Sequence, residues 1–306
     1  MKVSISDLKT ERQWRATTGY DQARFKKLLT VFGSLALSAV LLVMAAPSIV
    51  HGLGLHPDYD GPTYKLPGKK ALIIGTNHGV LNKVGETTGA PTGAQASELT
   101  HPYYGFLDAG MEVDIASIKG GVIPIDPQTL GRMVATPEDK RYLEDAALKA
   151  KLETSIKIAD LDFTQYDAIF LSGGWGAAYD LGYSQVLGEK IADAYYAKRP
   201  IIGSVCHGAL GLIRAKDKTG KPIIAGRKVT GVTDKQIKQL GITLTPMHPE
   251  SELRKAGALY ESQTAFFDIF ATHVVIDDEQ RFVTGQNQNS SHVTAHKIME
   301  IISKRP

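Results

Sequence analysis

From Leu28 to Val50 the chain reads LLTVFGSLALSAVLLVMAAPSIV, an uncharged run long enough to cross a hydrocarbon layer of about 30 Å as a helix. Residues 56–70 (HPDYDGPTYKLPGKK) follow, rich in Pro, Gly and Asp, the composition of an extended connector. Beyond them the pattern changes. Ala71–Thr76 (ALIIGT) is a short unbroken apolar run, as expected of a strand covered on both faces. A glycine- and threonine-rich loop extends to Gly93, then a helical pattern from Ala96 to Ala109 and a second strand over Met111–Ser117. Residues 137–158 read as a charged helical excursion, Ala168–Leu171 as a third strand, 182–198 as a helix and Pro200–Val205 as a fourth strand, with a helix beginning at Ala209. Val274–Val283 predicts a hairpin turning at Asp277–Gln280, and His292–Ser303 a closing helix.

Strands that alternate with helices pair in parallel through right-handed crossovers. The predicted fold class is therefore α/β: a doubly wound, mostly parallel sheet with helices on both faces, flavodoxin-like, preceded by one N-terminal transmembrane helix. The chain divides by this reading into a basic cytoplasmic tail (1–27), a signal anchor or signal peptide (28–50), a linker (51–69) and a catalytic domain (70–306).

Charge changes the picture mainly at the N-terminus. Residues 1–27 hold seven Lys/Arg against three Asp/Glu, a net +4, whereas the whole chain carries +3. The remainder is thus close to neutral, so no clustered positive surface is left for nucleic acid. The flank Arg24, Lys26 and Lys27 orients a span with its N-terminus cytoplasmic and everything after His51 extracytoplasmic. The alternative is secretion after cleavage near Ala45 and Ala46.

Cys206 is the single cysteine, so no intrachain disulfide can form. Its surroundings, Ile201-Ile202-Gly203-Ser204-Val205-Cys206-His207-Gly208, read as a strand running into a helix with almost no loop. That turn places the sulfur at a strand's carboxyl end beside a helix N-terminus, where backbone N–H groups favour an anion and the thiol should ionise more readily. Gly203 and Gly208 leave room for the sharp turn. His207 can move a proton, and its backbone N–H points where an oxyanion would sit. Gly173-Gly174-Trp175-Gly176, after the third strand, suggests a second oxyanion donor at Gly174.

Seven stretches in order carry a family resemblance: residues 76–79 (TNHG), 97–121, 123–127 (IPIDP), 173–181 (GGWGAAYDL), 205–212 (VCHGALGL), 226–234 (GRKVTGVTD) and 284–291 (TGQNQNSS). From about Lys70 to Ile302 the chain resembles the ThiJ/PfpI superfamily, of class I glutamine-amidotransferase-like fold, and within it the branch of chaperones and glutathione-independent glyoxalases. The resemblance implies catalytic roles for Cys206, His207 and Glu98, with Asp234 as third acid or a Cys–His dyad assisted by Glu98 alone. It places Gly174, Trp175 and His78 in the oxyanion and substrate pocket. A protonated Glu98 would donate to the sulfur, with the carboxyl raised and the thiol lowered. Trp175 stands where many relatives carry His, and Gln288 where a Pro is usual. The His and Glu zinc ligands of one chaperone-type relative have no counterparts, the position eight after Glu98 being Phe106, so neither metal nor cofactor is expected. Met247-His248-Pro249-Glu250 mimics the His-Pro-Glu of glutaminase domains but lies too close to Cys206 for that fold, and is expected to open a surface helix.

The function implied is a cysteine-dependent enzyme acting on small reactive aldehydes, a glutathione-independent glyoxalase turning methylglyoxal into lactate, or a protein deglycase. Alternatives of the same fold are a stress-related chaperone or holdase and a cysteine peptidase or amidase. The expected partners are a small aldehyde, a membrane through the N-terminal helix and, by resemblance, a second copy in a homodimer.

Overall fold

The computed structural model describes the backbone of residues 5–305 and the side chains of residues 24–305. The chain divides into two compact units, Met1–Val50 and His51–Pro306.

The first unit consists of helix α1 (Ile5–Gly52) as far as Val50; the helix starts well before the apolar run and carries Pro47 near its end. Its section Arg24–Gly52, 29 residues, is long and apolar enough to cross a membrane. Large apolar side chains including Phe32, Leu37 and Leu42 stand exposed along it.

The second unit is built on seven strands: β1 (Lys70–Gly75), β2 (Glu112–Ser117), β3 (Ile156–Lys157), β4 (Ala168–Leu171), β5 (Ile201–Val205), β6 (Val274–Ile276) and β7 (Phe282–Gly285). They lie in the order β6-β7-β5-β4-β1-β2-β3. Every pairing is parallel except β6 with β7, the terminal hairpin. The unbroken apolar runs are explained by two cores. Ala71 and Ile73 of β1 and Phe170 of β4 pack on one side of the sheet, and Leu72, Ile74, Ile169 and Leu171 on the other. Period-two alternation thus buries both faces.

Helix α2 (Ala96–Asp108) and the closing helix α8 (Ser291–Ser303) cover the first face, whose core includes Leu99, Phe106, Ala295 and Ile298. Helix α5 (Gln185–Ala197) supplies Leu187 and Ile191 to the second. The charged excursion breaks where Asp145 ends α3 (Pro137–Glu144) and its carboxylate caps α4 (Ala146–Glu153), accepting from Ala147 and Leu148 N–H. Its last residues become the two-residue edge strand β3. Two short helices, α6 (Asp234–Gln239) and α7 (Pro249–Lys255), precede the hairpin.

The stretch 51–69, expected as an extended linker rather than a packed element, belongs to the larger unit and buries Leu55, His56 and Leu66. The physical reason is local: His56 N–H donates to Asn289 Oδ1 at 2.7 Å, Asn289 Nδ2 donates to the Gly54 carbonyl at 2.7 Å, and Leu66 N–H bonds the Ala109 carbonyl at 2.7 Å. A connector whose backbone groups are satisfied by the domain packs as part of it.

Candidate active site

Cys206 follows β5 directly and takes φ +56, a left-handed conformation that costs a residue with a Cβ. It opens a seven-residue 3-10 helix, Cys206–Leu212, in place of the α-helix expected from Ala209. The glycines explain how the turn fits. A Cβ on Gly208 would lie 2.1 Å from the Leu171 carbonyl oxygen, so the chain passes against the end of β4 where only a hydrogen fits. Gly174, at φ +103, would bring a Cβ to 2.3 Å from the Gln95 nitrogen.

The sulfur lines a cavity of about 210 Å³ together with Glu98, Gly174, Trp175, His207 and Gln236. Glu98 sits in the first turn of α2, where the Gln95 side chain accepts its N–H at 2.7 Å. Its carboxyl faces the Cys206 side chain and the Gly173 N–H, and burial outweighs both, raising it to about 8. Neither contact closes to full hydrogen-bond geometry at Oε2, which has no partner among the described residues. Burial, then the Glu98 charge, push the thiol well above its ordinary value, against the backbone N–H groups of His207 and Gly174 that favour the thiolate. The expectation of a lowered thiol is therefore reversed. The sulfur is almost wholly buried and a short 3-10 turn offers few aligned dipoles to compensate.

His207 Nδ1 lies 3.4 Å from the sulfur. Its ring tilts against Trp175, with centroids 4.9 Å apart. Burial, with the charge of His248, lowers its basicity to a pKa of about 3, and the buried Nε2 has no partner among the described residues. Nothing from Asp234 reaches this ring. The Asp234 carboxylate accepts from Ser251 Oγ at 2.7 Å and lies 3.3 Å from His248 Nδ1, at the start of α6 and outside the cavity lining. His248 precedes α7, which begins at Pro249 as expected, and while it pairs with Asp234 its charge is felt at the His207 ring.

The structure brings together Cys206, His207, Glu98, Gly174 and Trp175 and leaves Asp234 and His78 apart from them. His78 stacks on Tyr179 at 4.0 Å, and its Nε2 is 2.9 Å from Asn82 Oδ1. Sequence reasoning missed the polar wall opposite. Gln236 is bonded to Gln288 at 3.3 Å and to Asn287 at 3.0 Å, and His56 closes one side. The signal of this wall in the sequence is Gln288 itself, standing where the family resemblance leads one to expect Pro. His56 carried none, since its neighbours read as linker. Burial lowers it to about 4, so it lines the cavity uncharged.

Comparison with known proteins places this geometry. The model of the DJ-1/PfpI family matches residues 90–301. Glyoxalase 3 of Candida albicans is 31% identical over 240 residues, covering 75% of this chain and 97% of that protein. The protein/nucleic acid deglycase HchA of Pseudomonas aeruginosa is 30% identical over 168 residues, 51% of this chain and 55% of its own length. The crystal structure of the Rapid Encystment Protein 24 kDa of Francisella tularensis superposes with a TM-score of 0.69 at 33% identity, covering 76% of this chain and 99% of that one.

Proposed function

Because the chain belongs to the DJ-1/PfpI family, we propose that it is a glyoxalase or deglycase-type enzyme that uses Cys206 as nucleophile toward small α-oxoaldehydes, methylglyoxal first among them. The observation that carries the reading is the convergence on one buried sulfur of the Glu98 carboxyl, His207 Nδ1 at 3.4 Å and the N–H groups of His207 and Gly174. These are a proton holder, a base and two oxyanion donors around a nucleophile.

The sulfur adds to the aldehyde carbon, and the new oxyanion is held by the His207 and Gly174 N–H groups and then protonated. Glu98, carrying its proton at neutral pH, takes part in that transfer. His207, neutral in its buried site, removes the proton from C1 of the hemithioacetal, and a proton returned to C2 of the enediol leaves a lactoyl thioester. Water then cleaves the thioester, releasing lactate and the thiol. No carboxylate among the described residues bonds the His207 ring, so the site works as a Cys–His dyad with Glu98, and Asp234 acts at most through His248. Trp175 and the Gln236–Gln288 wall limit the cavity to small substrates.

The Arg24–Gly52 section of α1 is, in the same reading, a membrane span with Arg24, Lys26 and Lys27 on the cytoplasmic side. Lactate formation from methylglyoxal without glutathione, measured on the wild type and on Cys206→Ala, tests the chemistry. Activity is expected in the first and lost in the second, and equal rates in both would refute the mechanism.

A further inference from the structure

Outside the Cys206 cavity the most unusual grouping of side chains is His101, Glu138 and His292. They come from three elements, α2, the first turn of α3 and the start of α8, and their donor atoms all lie within 4.8 Å of one another. The Glu138 carboxylate faces a nitrogen of each ring, Oε2 at 3.5 Å from His101 Nε2 and Oε1 at 3.4 Å from His292 Nε2. These separations exceed a normal N–H···O bond of about 2.9 Å. They match two donors sharing one tetrahedral ion, which bonds of about 2.0–2.1 Å place about 3.3–3.5 Å apart.

The rings of His101 and His292 lie 3.9 Å apart. His101 is buried, yet its Nδ1 has no partner among the described residues and its Nε2 comes no nearer than 3.2 Å to Thr136 Oγ1. Nε2 is the nitrogen that faces Glu138, and its long contact with a neutral hydroxyl leaves its lone pair open to a stronger partner. A cleft of about 370 Å³ reaches the group from solvent, lined by Glu138, His292, His296 and Tyr59. His296, one turn beyond His292, donates Nδ1–H to the His292 carbonyl at 2.9 Å, which leaves its Nε2 as an acceptor at the rim.

We propose that His101, Glu138 and His292 form a binding site for a divalent transition-metal ion of the zinc class, with solvent or His296 completing the coordination. The expectation of no metal rested on other positions, Phe106 among them, and does not bear on this trio. An ion here ties α2 to α3 and α8. His101 lies three residues beyond Glu98 on α2, so the ion acts as a staple on the helix that presents Glu98 and takes no part in the chemistry at Cys206. The proposal stands independently of the glyoxalase reading.

The test uses the full chain in detergent, stripped with a chelator and titrated with Zn²⁺ by calorimetry and with Co²⁺ by visible absorption. The expected result is one equivalent of either ion, a rise in melting temperature with Zn²⁺, and Co²⁺ bands free of sulfur-to-metal charge transfer. Glu138→Gln and His292→Ala should each weaken binding at least about tenfold, and Cys206→Ser should leave it unchanged. No stoichiometric uptake by the wild type overturns the site, as does full affinity in both ligand variants. Loss of uptake in Cys206→Ser overturns it equally, by assigning the ion to sulfur. Glu138 and His292 are partly exposed, at 24% and 20%, so circular dichroism should show both variants folded, and the wild-type titration decides the matter by itself.

Discussion

Two acids share one small volume at the site, the Glu98 carboxyl and the Cys206 thiol, and burial opposes a charge on either. While Glu98 keeps its proton, up to about pH 8, the sulfur has no negative neighbour. Once Glu98 ionises, its charge resists a second one on sulfur. Glu98→Gln removes that resistance and keeps an N–H donor. Cys206 in this variant should react with iodoacetamide about tenfold faster than the wild type at pH 8.5, one pK unit of relief being a factor of ten. Turnover of methylglyoxal should fall because the transferable proton is gone. Alkylation rates identical in both proteins would show that the carboxyl does not govern the sulfur. The same residue sets a stability trend. The folded pKa of about 8 lies above the ordinary 4.5, so the folded state holds a proton the unfolded chain gives up. This contribution is complete below pH 4.5 and is lost as pH rises toward 8. Melting temperatures measured between pH 5 and 8 should decline more steeply for the wild type than for Glu98→Gln, and parallel curves would contradict the assignment.

At the level of elements, the turn from β5 into the 3-10 helix holds the site in place, and its two glycines face different neighbours. Gly208 abuts the Leu171 carbonyl of β4 at 2.1 Å from an added Cβ, rigid backbone that cannot retreat, whereas the tightest neighbours of a Cβ on Gly203 would be side-chain atoms, Ile298 Cδ1 at 2.4 Å and Phe170 Cδ2 at 3.1 Å. Gly208→Ala should therefore cost about 1–3 kcal/mol in urea unfolding, in the range of core overpacking, and should displace Cys206. Gly203→Ala should cost less because Ile298 can change rotamer. A reversed order would mean that β4 moves more easily than α8. The same turn marks how much the sequence disclosed. The strands β1 and β4 and helix α2 were legible because a sheet covered on both faces demands apolar runs and a covering helix demands a 3.6-residue period, and β2 and β5 because they fall between helical patterns. Cys206, His207 and Gly174 were legible because a strand end followed by Gly-rich turns is local information, whereas Glu98, in the first turn of α2, was marked only by the family resemblance. What escaped depends on distant contacts: the break at Asp145, visible only through its capping bonds, the packing of His56 through Asn289, and the approach of His101, Glu138 and His292 from three elements. Asp234 was offered by the resemblance as one of two alternatives for the third member, and its contacts with Ser251 and His248 lead away from the cavity.

On the scale of the whole molecule, the two units follow different physics. The larger one buries both faces of its sheet, but α1 leaves Phe25, Leu28, Leu35, Leu41 and Leu42 exposed, an arrangement that water disfavours and hydrocarbon does not. Its 29 residues from Arg24 to Gly52 extend about 43 Å at 1.5 Å per residue, more than the roughly 30 Å of a hydrocarbon core. The surplus lets Arg24, Lys26 and Lys27 reach the headgroups at one end. If α1 spans a bilayer, the full chain should sediment with membranes and resist carbonate extraction. The double variant Leu41→Arg, Leu42→Arg should be released, since each arginine at mid-helix costs about 2.5–3.5 kcal/mol on insertion. The larger unit's sheet and cavity contain no residue of α1 before His51, so the released variant should still convert methylglyoxal at close to the wild-type rate. Wild-type chain found wholly in the soluble fraction at its intact mass would remove both the span and the cleaved-signal reading and leave α1 to be explained by a protein partner.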